Sequence, residues 1–482
     1  MKQRLALISV LALAACAPVP GQMARIQSID DLAADQSLAT QAPAAWPGQN
    51  WWVDYGDPQL AALIEEARAA SPDVAAATAR LRQADALAQQ AGAALLPSVG
   101  ISADVGLNKQ SYNNGIPADF VPQGWNDTGR LAANVAFDPD LWGLNRAALA
   151  AATSQAQAAA VDREQALLLL STGIAAAYAD LAQLFARRDL AERTLALRGE
   201  AAKLTGDRVA IGLDNRGVMQ LAESRLASAR VDLAALDESI ALTRNRIAAL
   251  VGAGPDRGSS IAAPDLAVFQ PHGMPARIAL DLVGRRPDIV SARLRAEAAT
   301  AQIRSARAAF YPNINLAGLI GLQSLGLSNL FDGGSTYGSV GPALSLPLFN
   351  RGALTGQLRG AEAGSDLAVA NYDATLIAAV REAADAVASI GSLAQQSDHA
   401  ATALAGAAGA HDITLQRYRG GLGTYLDVLA AEDAVIAARR VAADLQIRAF
   451  ALDIALVRAL GGGFSENSPH QAQLAPTGND HG

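Results

Sequence analysis

Cys16 is the only thiol in the 482-residue chain, and it closes the short run LALAAC. A lone cysteine excludes an intrachain disulfide, and a cysteine-based metal site would need further thiols or nearby histidines. The five histidines, His272, His399, His411, His470 and His481, are scattered without ligand spacing. The lysines are Lys2, Lys109 and Lys203, and none ends a glycine-rich phosphate loop. Neither Gly-x-Ser-x-Gly nor His-Glu-x-x-His occurs. The chain is therefore expected not to be an enzyme and to need no metal or dissociable cofactor. One other spacing stands out: Thr424 and Asp427 are placed as N-cap and N3 of a helix, an imperfect capping box.

The elements around Cys16 say how it is used. Lys2 and Arg4 precede an apolar stretch over 5–13, shorter than the ~20 residues that span a bilayer but suited to a secretory signal. Leu-Ala-Ala-Cys resembles the lipobox of bacterial lipoproteins, which implies covalent lipid on the Cys16 sulfur and a mature chain starting there. The alternative is an ordinary signal with an incidental cysteine. Several acyl chains anchor firmly where one is marginal. Residue 17 is Ala, not the Asp that marks inner-membrane retention in such lipoproteins, so the outer membrane is expected. Loss of 1–15 would move the formal net charge from −8 to −10, a balance that disfavours nucleic acid.

The remainder is a duplication. SPDV at 71–74 returns as RPDI at 286–289, and LLPSVGISADVGL at 95–107 returns as FYPNINLAGLIGL at 310–322, both at an offset of 215. Gly212, Ala222, Glu223 and Arg230 match Gly421, Ala431, Glu432 and Arg439 at an offset of 209. Each unit carries two alternating stretches, predicting strands at about 97–107, 130–138, 312–323 and 338–347. Val99, Ile101, Val105, Leu131, Val135, Ile314, Leu316, Ile320, Val340 and Leu344 lie on apolar faces, opposite Ser, Asn, Asp, Arg and Gln. Strands of this length cross a bilayer when tilted, although a half-buried soluble sheet would look the same locally. Trp142, Phe310, Tyr311 and Phe349 at the strand–helix joints suit an interfacial girdle.

Alanine- and leucine-rich helices are expected at 58–94, 144–210, 218–251, 276–309, 353–419 and 425–460. The two longest would extend ~100 Å. The resulting division is a signal (1–15), an anchored N-terminal segment (16–56), repeat 1 (57–252), a linker (253–274), repeat 2 (275–461) and a polar, disordered tail (462–482). Four strands cannot close a barrel, and open edges in lipid leave backbone groups unsatisfied. Two copies would give eight strands and three would give twelve.

WWVDYGDPQLAALIEEA (51–67), RRPDIVSARLRAEAATAQIRSARAAFYPNINL (285–316) and RYRGGLGTYLDVLAAE (417–432) resemble the TolC-type outer-membrane efflux family, in its lipoprotein branch. The resemblance implies a mixed α/β membrane protein: a homotrimer with a 12-strand outer-membrane β-barrel and a periplasmic α-helical barrel. It also implies docking to a periplasmic adaptor and an inner-membrane pump, and passive export of small molecules through a gate at the helix tips. The tips lie around Gly212 and Gly217, and around Gly421 and Gly423. Asp427 matches the family's acidic ring, beside Thr424 and Tyr425; it could equally serve only as the cap. Val218 and Ala430 stand where some relatives have further acids, so a pairing of Arg216 with Asp427 is the expected closed-state lock. Competing readings are a duct for protein secretion and a lipid-anchored coiled-coil scaffold without a pore.

Overall fold

The computed structural model describes residues 24–466, except 35, 39–42, 114, 266–268, 270, 276–277 and 348. Cys16, the signal, His470 and His481 lie outside the described residues. In chain order the elements are β1 (Pro43–Ala44), α1 (Pro58–Ala70), α2 (Pro72–Ala93), β2 (Ser98–Asn108), β3 (Asn126–Phe137), α3 (Leu144–Ala210), α4 (Arg216–Leu250) and α5 (Pro255–Ser259). They continue with β4 (Met274–Pro275), α6 (Ile278–Arg285), α7 (Pro287–Ala308), β5 (Asn313–Leu325), β6 (Thr336–Ser345), α8 (Arg351–Arg419) and α9 (Tyr425–Ala459). The chain divides into two compact units.

The first unit, over 80–159 and 292–372, holds one antiparallel sheet in the order β2-β3-β5-β6. Its register keeps the alternation coherent from strand to strand. Val99 faces Val135, Ile101 faces Ala133, Ala133 faces Ile320 and Ile314 faces Leu344, all on one face. Arg130 faces Asp104 and Gln323 on the other. The apolar face is bare, with Ile101 79% and Val340 92% exposed. Nothing among the described residues covers it, which separates this sheet from a half-buried soluble one. Gly321 is required by close approach, because a Cβ there would run into the Leu131 carbonyl.

At the foot of the sheet Trp142 and Tyr311 stack with centroids 4.9 Å apart, and Trp142 Nε1 donates to the Pro312 carbonyl at 2.6 Å. Phe349 is fully exposed, but Phe310 packs with Ile303, Ala306 and Leu358. Phe310 is thus core rather than girdle, because it closes the last turn of the α7 segment.

The second unit, whose described residues fall in 27–79, 160–291 and 373–466, is mainly helical, with β1 and β4 paired in parallel. Two helices expected to be continuous are broken. The stretch 58–94 splits at Ser71, whose ψ of 126° is extended, and 276–309 splits at Arg286. Each break precedes a proline (Pro72, Pro287), which disfavours helical geometry before it and supplies no N–H. Arg286, buried at its break, donates to Asp288 at 2.6 Å, Glu382 at 3.0 Å and the Ala459 carbonyl at 3.1 Å. Residues 462–466, expected to open the tail, pack on the second unit: Phe464 is buried and the Glu466 N–H donates to the Gly284 carbonyl at 3.1 Å, and 467–482 lie outside the described residues.

The core joins Trp51, Tyr55, Leu60, Ile64, Ile174, Leu181 and Ile247. Most of the apolar stretch of α3, the one described helix with the length and composition of a membrane span, is buried in the protein. His272 caps this core electrostatically. Its Nδ1 lies 2.8 Å from Asp453 Oδ2 and its Nε2 lies 3.0 Å from the Trp51 carbonyl, so both nitrogens face oxygen acceptors, an arrangement that favours the charged ring. Burial alone would depress its pKa; the Asp453 hydrogen bond and charge, with Trp51 and Asp54, outweigh burial and raise it.

Candidate functional site at the helix-hairpin tips

The α3–α4 and α8–α9 turns share one backbone solution. The Leu213 N–H donates to the Arg208 carbonyl at 2.8 Å and the Gly212 N–H to that of Val209 at 3.1 Å. In the second turn Leu422 donates to Arg417 at 2.8 Å and Gly421 to Tyr418 at 3.0 Å. Gly212 (φ 76°) and Gly421 (φ 75°) take the left-handed position that these Schellman closures demand. Asn215 then caps α4, accepting from the Gly217 and Val218 N–H groups. The tightness there shows at Gly217, where a Cβ would lie 3.0 Å from Asn215 Oδ1. Gly423 precedes the Thr424 cap of α9.

At that cap the box is closed in both directions. Thr424 Oγ1 accepts from the Asp427 N–H at 3.3 Å, while the Asp427 carboxylate accepts from the Thr424 N–H at 2.9 Å and its hydroxyl at 2.8 Å. Those two donors hold the Asp427 carboxyl below the usual aspartate range. Arg216 is exposed and forms no ion pair among the described residues, so the structure does not bring it to Asp427. Asp427 is turned back on its own helix start, and the cation acting on it is Arg417.

The link between the hairpins is made elsewhere. Arg208 Nε donates to Asp214 Oδ2 at 2.6 Å, and the Tyr418 hydroxyl of α8 donates to the same oxygen at 3.0 Å. The Arg208 guanidinium lies 4.6 Å above the Tyr418 ring, which is itself 5.8 Å from Tyr425. Burial, then Asp214, raises the Tyr418 hydroxyl pKa. Tyr418, Tyr425, Val428, Leu429 and Ala222 form a small apolar core. One turn further, Arg198 Nε meets Glu432 at 3.3 Å, and Arg225 meets Asp433 at 2.8 Å. Sequence reasoning missed Arg208, Asp214, Tyr418, Arg198 and Glu432. Their one visible signal was an acid inside a glycine-marked turn. Ile211, Leu213, Leu422 and Leu426 remain exposed at the two turns.

A four-strand sheet with a bare apolar face, together with capped, cross-linked helical hairpins, defines a protomer of an outer-membrane channel. The model of the outer membrane efflux protein family matches residues 63–253 and 281–462, and the chain belongs to that family. The fusaric acid resistance protein FusA of Burkholderia cepacia is 35% identical over 375 residues, 75% of this chain and 69% of FusA. The multidrug resistance outer membrane protein MdtP of Escherichia coli (strain K12) is 30% identical over 467 residues, 95% of this chain and 94% of MdtP. The crystal structure of the outer membrane protein VceC from Vibrio cholerae superposes with a TM-score of 0.83 at 44% identity, covering 87% of this chain and all of that one. The chain is the outer-membrane channel component of an efflux system, as its sequence motifs led one to expect.

Proposed function

We propose that three copies of this chain assemble into a passive conduit, closed at its periplasmic helix tips, that exports small molecules handed on by an adaptor and an inner-membrane pump. The observation that carries this reading is the sheet: edge strands β2 and β6 find no further partner among the described residues, and its apolar face is uncovered. In lipid each unpaired backbone group costs several kcal/mol, so edges must be satisfied by other copies. Three copies supply twelve strands, leaving the polar face around Arg130, Asp104 and Gln323 to line water.

The Arg208–Asp214–Tyr418 contact serves as the closed-state lock in place of the Arg216–Asp427 pair. Asp427 keeps two roles: it caps α9 within its own chain, and three such carboxylates around an axis would draw cations. Exposed Ile211, Leu213, Leu422 and Leu426 offer an adaptor apolar anchors at both turns. Cys16 carries lipid that tethers the N-terminal segment to the outer membrane. The relatives are named for resistance to fusaric acid and to multiple drugs, which supports small organic cargo over exported proteins. Negative-stain imaging of the detergent-purified protein tests the assembly: three-fold particles with a central lumen are expected, and compact or solid particles would overturn it.

A further inference from the structure

Glu432 differs from every other acid at the tips. On α9 it shares a face with Tyr425, Val428 and Leu429, which are seven, four and three residues before it and all buried. Its side chain is 3% exposed. Among the described residues its carboxylate accepts a single hydrogen bond, from Arg198 Nε at 3.3 Å. That guanidinium is shared, for it also donates to the Arg225 carbonyl at 3.3 Å and to Asp433 at 3.4 Å. An ionised carboxylate has room for about four such bonds, so Glu432 is poorly paid for its desolvation. The fold does not require this: Glu223, its counterpart in the first repeat, is exposed.

We infer that Glu432 is a proton-operated bias on the gate: its protonated form favours the packed, closed arrangement of the second hairpin, and its ionised form loads that arrangement with a buried charge. This rests on the reading of the tips as the gate. The groups facing Glu432 are Arg198 from α3, Arg225 from α4 through Asp433, His411 from α8, and Asp433 and Tyr425 on α9 itself. Burial and Asp433 favour the acid form, Arg198 and His411 the carboxylate, and burial prevails, raising the carboxyl above the ordinary glutamate value. A proton on Glu432 leaves no orphaned cation, because Arg198 keeps Asp433 and the Arg225 carbonyl.

The sign follows from linkage. The state that buries Glu432 holds its proton more tightly than a state in which the hairpin swings away and hydrates it. Falling pH therefore shifts the population towards closed, over a window that begins at the raised value and ends at the ordinary glutamate value. A conventional salt-bridge lock would behave oppositely, opening when the acid is protonated.

The test uses the full-length protein in planar bilayers between about pH 4.5 and 8, a range that runs upward from the ordinary glutamate value. Open probability of the wild type should fall about three- to tenfold on acidification. Glu432→Gln, neutral at all pH and still able to accept from Arg198, should hold the acid-side value throughout, while His411→Asn, which removes a charge that favours the carboxylate, keeps a pH-dependent profile of the same sign. A Glu432→Gln variant that opens more than wild type, or that retains its pH profile, overturns the inference. Hydrogen exchange of 425–435 in the wild type, corrected for intrinsic rates, is a variant-free check: protection should rise on acidification, and an unchanged or falling value would also overturn it. Asp214→Asn separates the two levels. If it opens the channel while Glu432→Gln keeps the wild-type profile, the inference fails alone; if Asp214→Asn leaves the channel unchanged, the gate reading fails with it.

Discussion

The two hairpin tips have the same backbone and different chemistry. Gly212 and Gly421 differ by one degree in φ, and the Leu213 and Leu422 closures are both 2.8 Å. Yet Arg208 is engaged with Asp214 and Tyr418, while its counterpart Arg417 donates to the Leu422 carbonyl at 3.4 Å and acts on Asp427 through its charge. Val209 corresponds to Tyr418, Val218 to Asp427, and exposed Glu223 to buried Glu432. Duplication preserved what a tight turn needs, namely a left-handed residue and a cap. It did not preserve the polar pairings: Arg208 and Glu432 keep their residue types in Arg417 and Glu223, but Asp214 is replaced by Gly423 and Tyr418 by Val209. A gate built this way is asymmetric within the protomer.

The largest break in that asymmetry should come from Asp214→Asn, which removes the acceptor shared by Arg208 and Tyr418. Conductance should rise severalfold, while the repeat-equivalent change Arg417→Ala leaves it near wild type; bilayer recordings compare them directly. Turn geometry should instead respond symmetrically. Gly212→Ala and Gly421→Ala each force a Cβ into a left-handed conformation and should each cost about 1–2 kcal/mol, read from denaturant melts. The caps come next: Thr424→Ala and Asn215→Ala should each cost about 1 kcal/mol. Asp427 sharpens the pH comparison. Its carboxyl is held low, so its capping contribution is present above the ordinary aspartate value and lost only as pH falls through a lower one. Asp427→Asn should therefore leave the pH dependence of gating between about pH 4.5 and 8 as it is in wild type. Smallest of all, Arg216→Ser should change conductance and stability little, since Arg216 is exposed and unpaired among the described residues.

Much of this architecture is legible in the residue pattern itself. Period-two alternation located all four strands, because a strand with one apolar face must write that face into every second residue. Repeat offsets paired the two turns, and their glycines marked the left-handed positions. The breaks at Ser71 and Arg286 are written in the prolines that follow them, inside an alanine-rich helical pattern that runs on both sides. The capping role of Asp427 was visible because a cap is local. The Asp214–Tyr418 bond was not, since no periodicity says which face of α8 meets the α3–α4 turn. Glu432 was hidden for a sharper reason: Ala-Glu occurs at 222–223 and again at 431–432, once exposed and once buried. Packing alone distinguishes them.

The most direct test of a conduit held shut by its own hairpins is the bilayer conductance of the wild type beside Asp214→Asn at neutral pH. The account predicts a small conductance for the wild type and a severalfold larger one for the variant, with assembly unchanged. Equal conductances in two well-assembled proteins, or no conductance from either, would contradict it.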